Sequence, residues 1–296
     1  MIEFTKLHGA GNDFVVLDAT AQQLPPLEAF SRRIADRHFG IGADQVLVVE
    51  RPTPGADADA DFRMDIYNAD GSRVEMCANG IRAFYEFLRA RGHTDADEVR
   101  VETLAGVVVP RRAGPGRVRV DMGLPVLEPA KIPTLLSAGD GPVLDVPLPF
   151  DSTGGEPDES LTVSCASLGN PHCVIEVADP ETFPVDELGP RIEHHEAFPN
   201  RVNVEFIRIE SRSRIRQRTW ERGTGETLAC GSGACAVAVT AMLRGVVDRT
   251  VAIELRGGEL EIVWETDDSH VFMTGPAVEV FTGRISEEET ACSKAS

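Results

Sequence analysis

The sequence is short of several features that would point to common functions. Its 296 residues contain 29 lysines and arginines against 48 aspartates and glutamates, for a net charge of −19. Nucleic acid is therefore an unsuitable partner, because its phosphates require clustered cations. No apolar run is long enough for a membrane helix, and residues 1–6 lack the basic and apolar regions of a signal peptide. The sequence predicts a cytoplasmic protein that binds neither nucleic acid nor a membrane.

The cysteines also lack the spacing of familiar motifs. None of the six forms a C-x-x-C pair, which excludes a zinc ribbon and a thioredoxin-type motif. Free thiols suit a reducing cytoplasm, and we expect neither a bound metal nor a cofactor. The six are Cys77, Cys165, Cys173, Cys230, Cys235 and Cys292.

Many short strands and few helices are predicted along the chain, without the regular alternation of a doubly wound sheet. The fold class is therefore α+β, and the length fits two domains. Residues 27–38 and the stretch after Cys77 have helical spacing, whereas residues 125–160 are rich in Pro, Gly and Asp. We expect the chain to cross between domains near Gly123. The alternating arginines of residues 208–218 indicate the solvated face of a strand.

The stretch around Cys230 joins a polar turn to a long apolar segment. Residues 231–243 contain no charge and many small side chains, which predicts a helix buried on all sides. Cys230 would then lie at the helix N-terminus, where free N–H groups and the helix dipole favour a thiolate and bind anions. The alternative is a buried structural cysteine, the usual state of a free thiol.

An internal repeat gives Cys230 a counterpart. Cys77 and Cys230 each begin a C-x-x-G-x-x-A pattern, 153 residues apart. Upstream, Gly-Asn steps at residues 11–12 and 169–170 differ by 158, as do Gln45 and Asn203, each of which enters a Val-rich strand. Three matches in the same order predict a duplicated domain. We expect the two halves to present equivalent helix N-termini, each with a cysteine, to one cleft.

Two such cysteines can perform a specific reaction. A thiolate on one side of a carbon can remove its proton while a thiol on the other side delivers one, which inverts the stereocentre without a cofactor. Helix N-termini can stabilise the negative charge that develops on the neighbouring carboxylate. They can also lower a cysteine pKa from about 8.5 toward neutrality, where thiolate and thiol coexist.

Ordered motifs over nearly the whole chain make it similar to the diaminopimelate epimerases, a family of cofactor-independent amino-acid epimerases. The motifs are His8-Gly9-Ala10-Gly11-Asn12-Asp13-Phe14, Gly42-Ala43-Asp44-Gln45, Asn68-Ala69-Asp70-Gly71-Ser72, Cys77-Ala78-Asn79-Gly80, Gly169-Asn170-Pro171-His172, Arg201-Val202-Asn203, Glu221-Arg222-Gly223 and Ala229-Cys230-Gly231-Ser232-Gly233.

The resemblance implies a fold and an activity. The activity is conversion of LL-diaminopimelate to the meso form, on the route to lysine and peptidoglycan, by a pyridoxal-phosphate-independent homodimer. The fold is a pair of pseudo-symmetric domains, each a barrel-like, mainly antiparallel sheet around a central helix. Residues 1–122 with 275–296 would form the domain that carries Cys77, and residues 123–274 the domain that carries Cys230.

The resemblance also assigns roles to individual positions. Cys77 and Cys230 match the acid–base pair, and His172 matches a family histidine that could relay a proton or be structural. Arg222 can fork onto a distal carboxylate, and Glu221 can accept from a distal ammonium. The full set of matched substrate-binding positions is Asn12, Gln45, Asn68, Ala78, Asn79, Asn170, Asn203, Glu221, Arg222, Gly231 and Ser232.

Two departures from the family pattern and two rival functions remain at this point. Ala83 stands at a helix position where the family often has a further cysteine, and this change should be harmless. Ala78 replaces the glycine that usually follows the family's first cysteine, which adds a methyl group where the carboxylate would approach. One rival is a related racemase of the proline, hydroxyproline or histidine type, which would not need the distal pocket of Glu221 and Arg222. The other is a non-catalytic redox or binding protein that uses the cysteine pair as thiols.

Overall fold

The computed structural model divides the chain into two compact units. Unit 1 comprises Met1–Val120 and Ala277–Ser296, and unit 2 comprises Asp121–Pro276. The structure describes residues 1–55, 59–139, 141–149 and 161–287, so Cys292 lies outside the described residues. Among the helices of these described ranges, none is both long and apolar enough to cross a bilayer.

Strands dominate both units. In chain order they are β1 (Ile2–Gly9), β2 (Asn12–Asp18), β3 (Gln45–Glu50), β4 (Phe62–Asn68), β5 (Arg73–Val74), β6 (Val101–Thr103), β7 (Gly106–Val108), β8 (Arg111–Arg112), β9 (Arg117–Asp121), β10 (Val146–Leu148), β11 (Leu161–Ser167), β12 (Pro171–Glu176), β13 (Asn203–Ser211), β14 (Arg214–Glu221), β15 (Gly225–Thr227), β16 (Thr250–Leu255), β17 (Gly258–Val263), β18 (Phe272–Pro276) and β19 (Val278–Ile285). The α-helices are α1 (Leu27–Ala35), α2 (Ala78–Ala90), α3 (Val185–Glu193) and α4 (Gly231–Leu243), and a 3₁₀ turn spans Pro129–Lys131.

The sheet of unit 1 has the strand order β19-β1-β2-β3-β4-β6-β7, with β5 paired to β4. Most neighbours are antiparallel, and the two parallel pairs are β2 with β3 and β4 with β6. The crossover between β2 and β3 contains α1, and the crossover between β4 and β6 contains α2. Parallel neighbours need such long connections, so the two helices are placed by the sheet topology.

Unit 2 repeats this plan. Its strands follow the order β10-β11-β12-β13-β14-β16-β17-β18, with β15 paired to β14. Again two pairs are parallel, β12 with β13 and β14 with β16, and their crossovers contain α3 and α4. Helices α1 and α3 have the same length, as do α2 and α4. The duplication predicted from the sequence is therefore present as a repeated α+β topology. In the described residues neither strand path closes into a barrel.

The two helices of each unit pack on opposite faces of the sheet, because successive residues of a strand point to opposite sides. In unit 1, Phe30 and Ile34 of α1 share a core with Val46 and Val48 of β3. Leu47 lies between those valines in sequence and contacts the start of α2. Successive residues of β3 therefore contact α1 and α2 in turn.

Some elements differ from those predicted. Helix α1 ends at Ala35, not near residue 38, because the Asp36 carboxylate accepts the N–H groups of His38 and Phe39 and forms a turn. Strand β1 and helix α3 were not predicted. Helix α3 contains Gly189 and Pro190, which are poor helix formers and disguise the helix in the sequence. Glycine is required at residue 189 because a side chain there would collide with Trp220.

The alternating arginines of residues 208–218 were predicted to form the solvated face of a strand, and this prediction is only partly correct. The run spans the β13–β14 hairpin, and Arg208 on β13 is exposed. Arg218 is buried, however, and its guanidinium forks onto Glu226 at 2.6 and 2.9 Å. The prediction of a solvated face was therefore wrong for Arg218, because a carboxylate on the neighbouring β15 satisfies its charge.

Candidate active site

Each of the two repeated cysteines is the N-cap residue of a helix. Cys77 precedes α2 and Cys230 precedes α4, both with extended backbone dihedrals. Each sulfur accepts the N–H of the third helical residue, Gly80 at 3.3 Å and Gly233 at 3.4 Å. The sequence predicted Cys230 at this position, and the structure confirms it. In an α-helix the first N–H groups have no acceptor in a preceding turn, which is why helix N-termini bind anions.

In unit 1, Cys77 is half-buried beside the amide of Asn12. The Cys77 Sγ lies 3.9 Å from Asn12 Oδ1, and Asn79 Nδ2 donates to the same oxygen at 3.3 Å. Asn12 Nδ2 in turn donates to Asp44 Oδ2 at 2.8 Å. The structure therefore brings three of the predicted site residues, Asn12, Cys77 and Asn79, into one hydrogen-bonded group.

A cluster of charged residues lies next to Asn12 and stabilises its turn. The Asp13 carboxylate accepts from Lys6 Nζ at 2.6 Å and from both terminal nitrogens of Arg37, and Arg37 also contacts Asp44 at 2.7 Å. Lys6 also donates to the carbonyl of Gly42. Burial alone would raise the pKa of Asp13, but the hydrogen bonds from Arg37 and Lys6 outweigh it and hold that pKa well below its usual range.

Two further predicted residues pair across the sheet of unit 1. Gln45 and Asn68 are directly opposite each other on β3 and β4, and Gln45 Nε2 donates to Asn68 Oδ1 at 3.1 Å. Gln45 Oε1 is buried and has no hydrogen-bond partner among the described residues. A buried acceptor without a partner is costly, so this oxygen is suited to an incoming donor such as an ammonium group.

In unit 2, Cys230 is more deeply buried, with 5% of its surface exposed. Its Sγ lies 3.5 Å from the Ser232 hydroxyl. A buried pair lies beside it, in which His172 Nδ1 and Glu205 Oε1 are 2.8 Å apart. One ligand-type atom from each of His172, Glu205 and Cys230 lies within 4.8 Å of the other two.

These surroundings keep Cys230 protonated. Burial raises the pKa of the Cys230 thiol well above its ordinary value, and the charges of Glu221 and Glu205 raise it further. The hydrogen bonds from Ser232 and Gly233 oppose this rise but do not cancel it. Burial also raises the pKa of Glu205, against the opposing effect of His172. The helix N-terminus alone would favour a thiolate, so the acidic, buried setting dominates at this cysteine.

The His172–Glu205–Cys230 cluster has the residue types of a metal site. Zinc is bound by imidazole, carboxylate and thiolate ligands. Here both imidazole nitrogens already have partners, Nδ1 with Glu205 and Nε2 with Asn170 Oδ1 at 2.9 Å. The cluster is therefore described by its hydrogen bonds, and a metal would have to displace them.

The remaining predicted residues of unit 2 lie near the end of β14. The Asn203 side chain donates to Pro171 O at 2.8 Å and accepts the Arg222 N–H at 2.9 Å, so this amide links three segments. Arg222 is exposed and donates to Asn200 O. The Glu221 carboxylate accepts from the Thr227 hydroxyl at 2.6 Å. Glu221 was predicted for a distal ammonium, and its charge also acts on the Cys230 thiol.

Glu205, one residue of the His172–Glu205–Cys230 cluster, was not identified from the sequence. Glu205 lies within an apolar stretch of β13 and is fully buried. The repeat contained a signal for it, because the offset of 158 residues that relates Gln45 to Asn203 also relates Leu47 to Glu205. A carboxylate at a position that is leucine in the other half is a functional candidate.

The family model described as diaminopimelate epimerase matches residues 4–128 and 164–280. The chain is 49% identical to a curated diaminopimelate epimerase of Aromatoleum aromaticum, over 96% of this chain and 98% of that protein. It is 47% identical to diaminopimelate epimerase 1 of a Nostoc species, over 96% and 99%. A solved structure of a probable proline racemase from Agrobacterium radiobacter K84 has a TM-score of 0.67 at 16% identity, covering 99% and 95%. That likeness shows the fold alone.

Proposed function

Because the chain belongs to the diaminopimelate epimerase family, we propose that Cys77 and Cys230 are its two acid–base groups and act on the α-carbon of diaminopimelate. The family prediction made from the ordered motifs is confirmed, and the chain is an isomerase that epimerises this amino acid. One cysteine takes the α-proton and the other returns a proton to the opposite face. The observation that carries the assignment is the equivalent N-cap position of both thiols in the two repeated units.

The raised pKa of Cys230 favours one direction of proton flow. Its buried, acidic setting keeps it as a thiol, so it enters the reaction as the proton donor. The acceptor in that half-reaction must then be the Cys77 thiolate, because only a deprotonated sulfur can take a proton. When the product is released, Cys77 carries the proton, and the reverse reaction runs with the roles exchanged.

The charge that develops on the substrate carboxylate needs hydrogen-bond donors. The N–H groups of Ala78, Asn79, Gly231 and Ser232 belong to the first two residues of each helix, the positions at which helices bind anions. The helix dipole adds partial positive charge at the same positions. We assign the reacting carboxylate to them. The backbone donates at residue 78 whichever side chain it carries, so Ala78 affects the room available and not the donor.

The substrate has a second amino-acid head group, for which the chain offers charged and amide side chains. Arg222 is exposed with a guanidinium that can take a carboxylate in a bidentate pair. Glu221 can accept from an ammonium, and Gln45 offers a buried oxygen without a described partner. Asn68 accepts from Gln45, and Asn203 accepts the Arg222 N–H. Asn12, bonded to Asn79, and Asn170, bonded to His172, complete the proposed set, with His172 as an auxiliary to Cys230.

We also propose that the enzyme is a cytoplasmic homodimer. All five cysteines in the described ranges are free thiols, which suits a reducing compartment. Strand β19 is at the edge of the unit 1 sheet and exposes Val278, Val280 and Phe281. An exposed apolar edge strand is a template for pairing, so a second copy would protect it. Sedimentation equilibrium of wild type and of Val280→Lys tests this, and a wild type that remains monomeric at micromolar concentration refutes it.

Proton exchange at the α-carbon tests the catalytic assignment. In heavy water under reducing conditions, wild type should incorporate deuterium into diaminopimelate. Cys77→Ser and Cys230→Ser should each lower the rate by about 10²–10⁴-fold, the range that acid–base groups contribute. Cys235→Ala, in the buried part of α4, is the matched control and should exchange like wild type. Exchange at the wild-type rate in either serine variant would contradict the two-base assignment.

A further inference from the structure

The two cysteines lie in equivalent backbone positions but in unlike surroundings. In unit 1, β2 and β3 pair so that Phe14 is opposite Gln45, and in unit 2, β12 and β13 pair so that His172 is opposite Asn203. Leu47 and Glu205 each lie two residues further along the second strand. The apolar pair Phe14 and Leu47 of one unit is thus replaced by His172 and Glu205 in the other.

The close approach of Glu205 to the helix start is part of the same repeat. A Cβ placed on Gly80 would lie 3.3 Å from Leu47 Cδ2, and a Cβ placed on Gly233 would lie 2.5 Å from Glu205 Oε1. The same Cβ would be 3.3 Å from Cys230 Sγ. The glycine therefore makes room for the carboxylate, which lies against the first turn of α4 and beside the sulfur.

In the part of the chain that the structure describes, no lysine or arginine pairs with Glu205. Glu205 and His172 are both fully buried, and Glu205 Oε1 bonds to His172 Nδ1 at 2.8 Å. Its second oxygen, Oε2, has no partner among the described residues. An ionisable group in such a position is costly to stability, and an apolar pair demonstrably fits the equivalent place in unit 1. A cost of this kind points to a role in the reaction.

We propose that Glu205 is a positioning residue of the epimerase: it fixes the orientation of His172 through the Nδ1 hydrogen bond and, beside Cys230, keeps that cysteine in its proton-carrying form. The catalytic consequence rests on the function proposed above. The Nδ1 bond to Glu205 holds the imidazole ring so that Nε2 faces Asn170 Oδ1, on the side of the predicted substrate-binding turn. Glu205 acts through its neighbours and does not need to touch the substrate.

The titratable groups that face Cys230 are His172 on β12, Glu205 on β13 and Glu221 at the end of β14. Removal of the Glu205 charge should therefore ease ionisation of the thiol, with Glu221 still present. This can be measured without substrate, from the pH dependence of alkylation of Cys230 by iodoacetamide, with peptide mass spectrometry to identify the labelled cysteine.

Two variants make the test. Glu205→Gln keeps the shape and removes the charge, and the double variant His172→Phe with Glu205→Leu installs the pair that unit 1 already accommodates. Glu210→Gln, on the same strand but with its carboxylate in the ion pairs of Arg214 and Arg216, is the matched control. In both test variants the alkylation profile of Cys230 should shift to lower pH, while Cys235 remains unlabelled because the fold is intact.

Turnover supplies the second readout. In both test variants kcat should fall about 10–10²-fold, less than on loss of a cysteine, with KM within about threefold. A wild-type kcat together with a wild-type alkylation profile overturns the proposal. A lower kcat with an unchanged profile also overturns it, because Glu205 would then not act through Cys230. If wild type fails to exchange the α-proton, the proposed function is refuted. The alkylation profile still tests separately whether Glu205 affects the ionisation of Cys230.

Discussion

Substitution of the glycine at the third position of each cysteine-capped helix should have unequal effects in the two units. Gly80→Ala and Gly233→Ala are chemically identical changes at equivalent places. At Gly80 the new methyl would meet the Cys77 Cβ at 3.2 Å and Leu47 Cδ2 at 3.3 Å, contacts that shifts of a few tenths of an ångström relieve. At Gly233 it would lie 2.5 Å from the Glu205 carboxylate oxygen, closer than real Cβ contacts allow.

The energetic difference can be estimated from those contacts. Alanine is better than glycine in a helix by about 1 kcal/mol, and mild overpacking offsets this at Gly80, so we expect a change within about 1 kcal/mol. At Gly233 the carboxylate must move and lose its 2.8 Å hydrogen bond to His172. Overpacking and a buried group without its partner cost about 1–3 kcal/mol each, so the net loss should be about 2–4 kcal/mol.

Tryptophan fluorescence isolates the affected unit. Both tryptophans of the chain, Trp220 and Trp264, belong to unit 2. In urea unfolding followed by fluorescence, Gly233→Ala should lower the midpoint by about 1 M or more without changing the slope. Circular dichroism follows both units and should report little change for Gly80→Ala.

A double-mutant cycle identifies the cause. If the carboxylate is the obstacle, Glu205→Ala should abolish most of the effect of Gly233→Ala, giving a coupling energy of about 1 kcal/mol or more. Equal losses for the two glycine variants, or additive effects in the cycle, would refute the placement of Glu205 against the start of α4.

Three further outcomes are expected. Asp13→Asn should destabilise unit 1 by about 1–3 kcal/mol at pH 7. Because the pKa of Asp13 is depressed in the folded state, its stabilisation is present above the unfolded pKa of about 4 and fades as pH falls below it. Urea unfolding followed by circular dichroism should therefore show a smaller stability difference between variant and wild type at pH 3 than at pH 7. Arg218→Lys should lower the free energy of unfolding, measured by fluorescence, by about 2–4 kcal/mol, because a lysine cannot replace the fork onto Glu226 or the bond to Pro180 O. The control Arg208→Lys, at an exposed position, should change it by less than about 0.5 kcal/mol. Equal effects of the two variants would contradict this reasoning. In the wild type, the alkylation rate of Cys230 should still be rising above pH 9, since burial and nearby carboxylates raise its pKa, and a plateau near neutral pH would contradict that.

Much of the site was accessible from the sequence because it depends on local patterns. A small-residue segment without charge specified a buried α4, and the polar turn before it placed Cys230 at the N-cap. Repetition of those patterns specified the duplicated plan. What local patterns could not supply was pairing between distant strands. Strand β14 and helix α3 depend on contacts such as Trp220 against Gly189, and the breaker residues at 189 and 190 mask the helix.

The buried polar groups were harder to predict for the same reason. Arg218 belonged to a run that looked solvated, and its partner Glu226 is on another strand. Glu205 carried no motif of its own, and only its alignment with Leu47 distinguishes it from an ordinary surface glutamate. Local propensity does not report which charge will be satisfied by tertiary contacts.

A duplicated architecture would by default give two identical cysteines, yet an inversion needs one thiolate and one thiol at the same time. Two identical sulfurs would share their protons equally, and only part of the enzyme would be in the correct form. A difference of two residues removes that symmetry: His172 and Glu205 replace Phe14 and Leu47 beside one cysteine while the backbone stays the same. Burial and the charges of Glu221 and Glu205 raise the pKa of Cys230 and favour the thiol there. On the proposal made above, the unlike surroundings of the two cysteines would give a repeated fold a directional proton transfer.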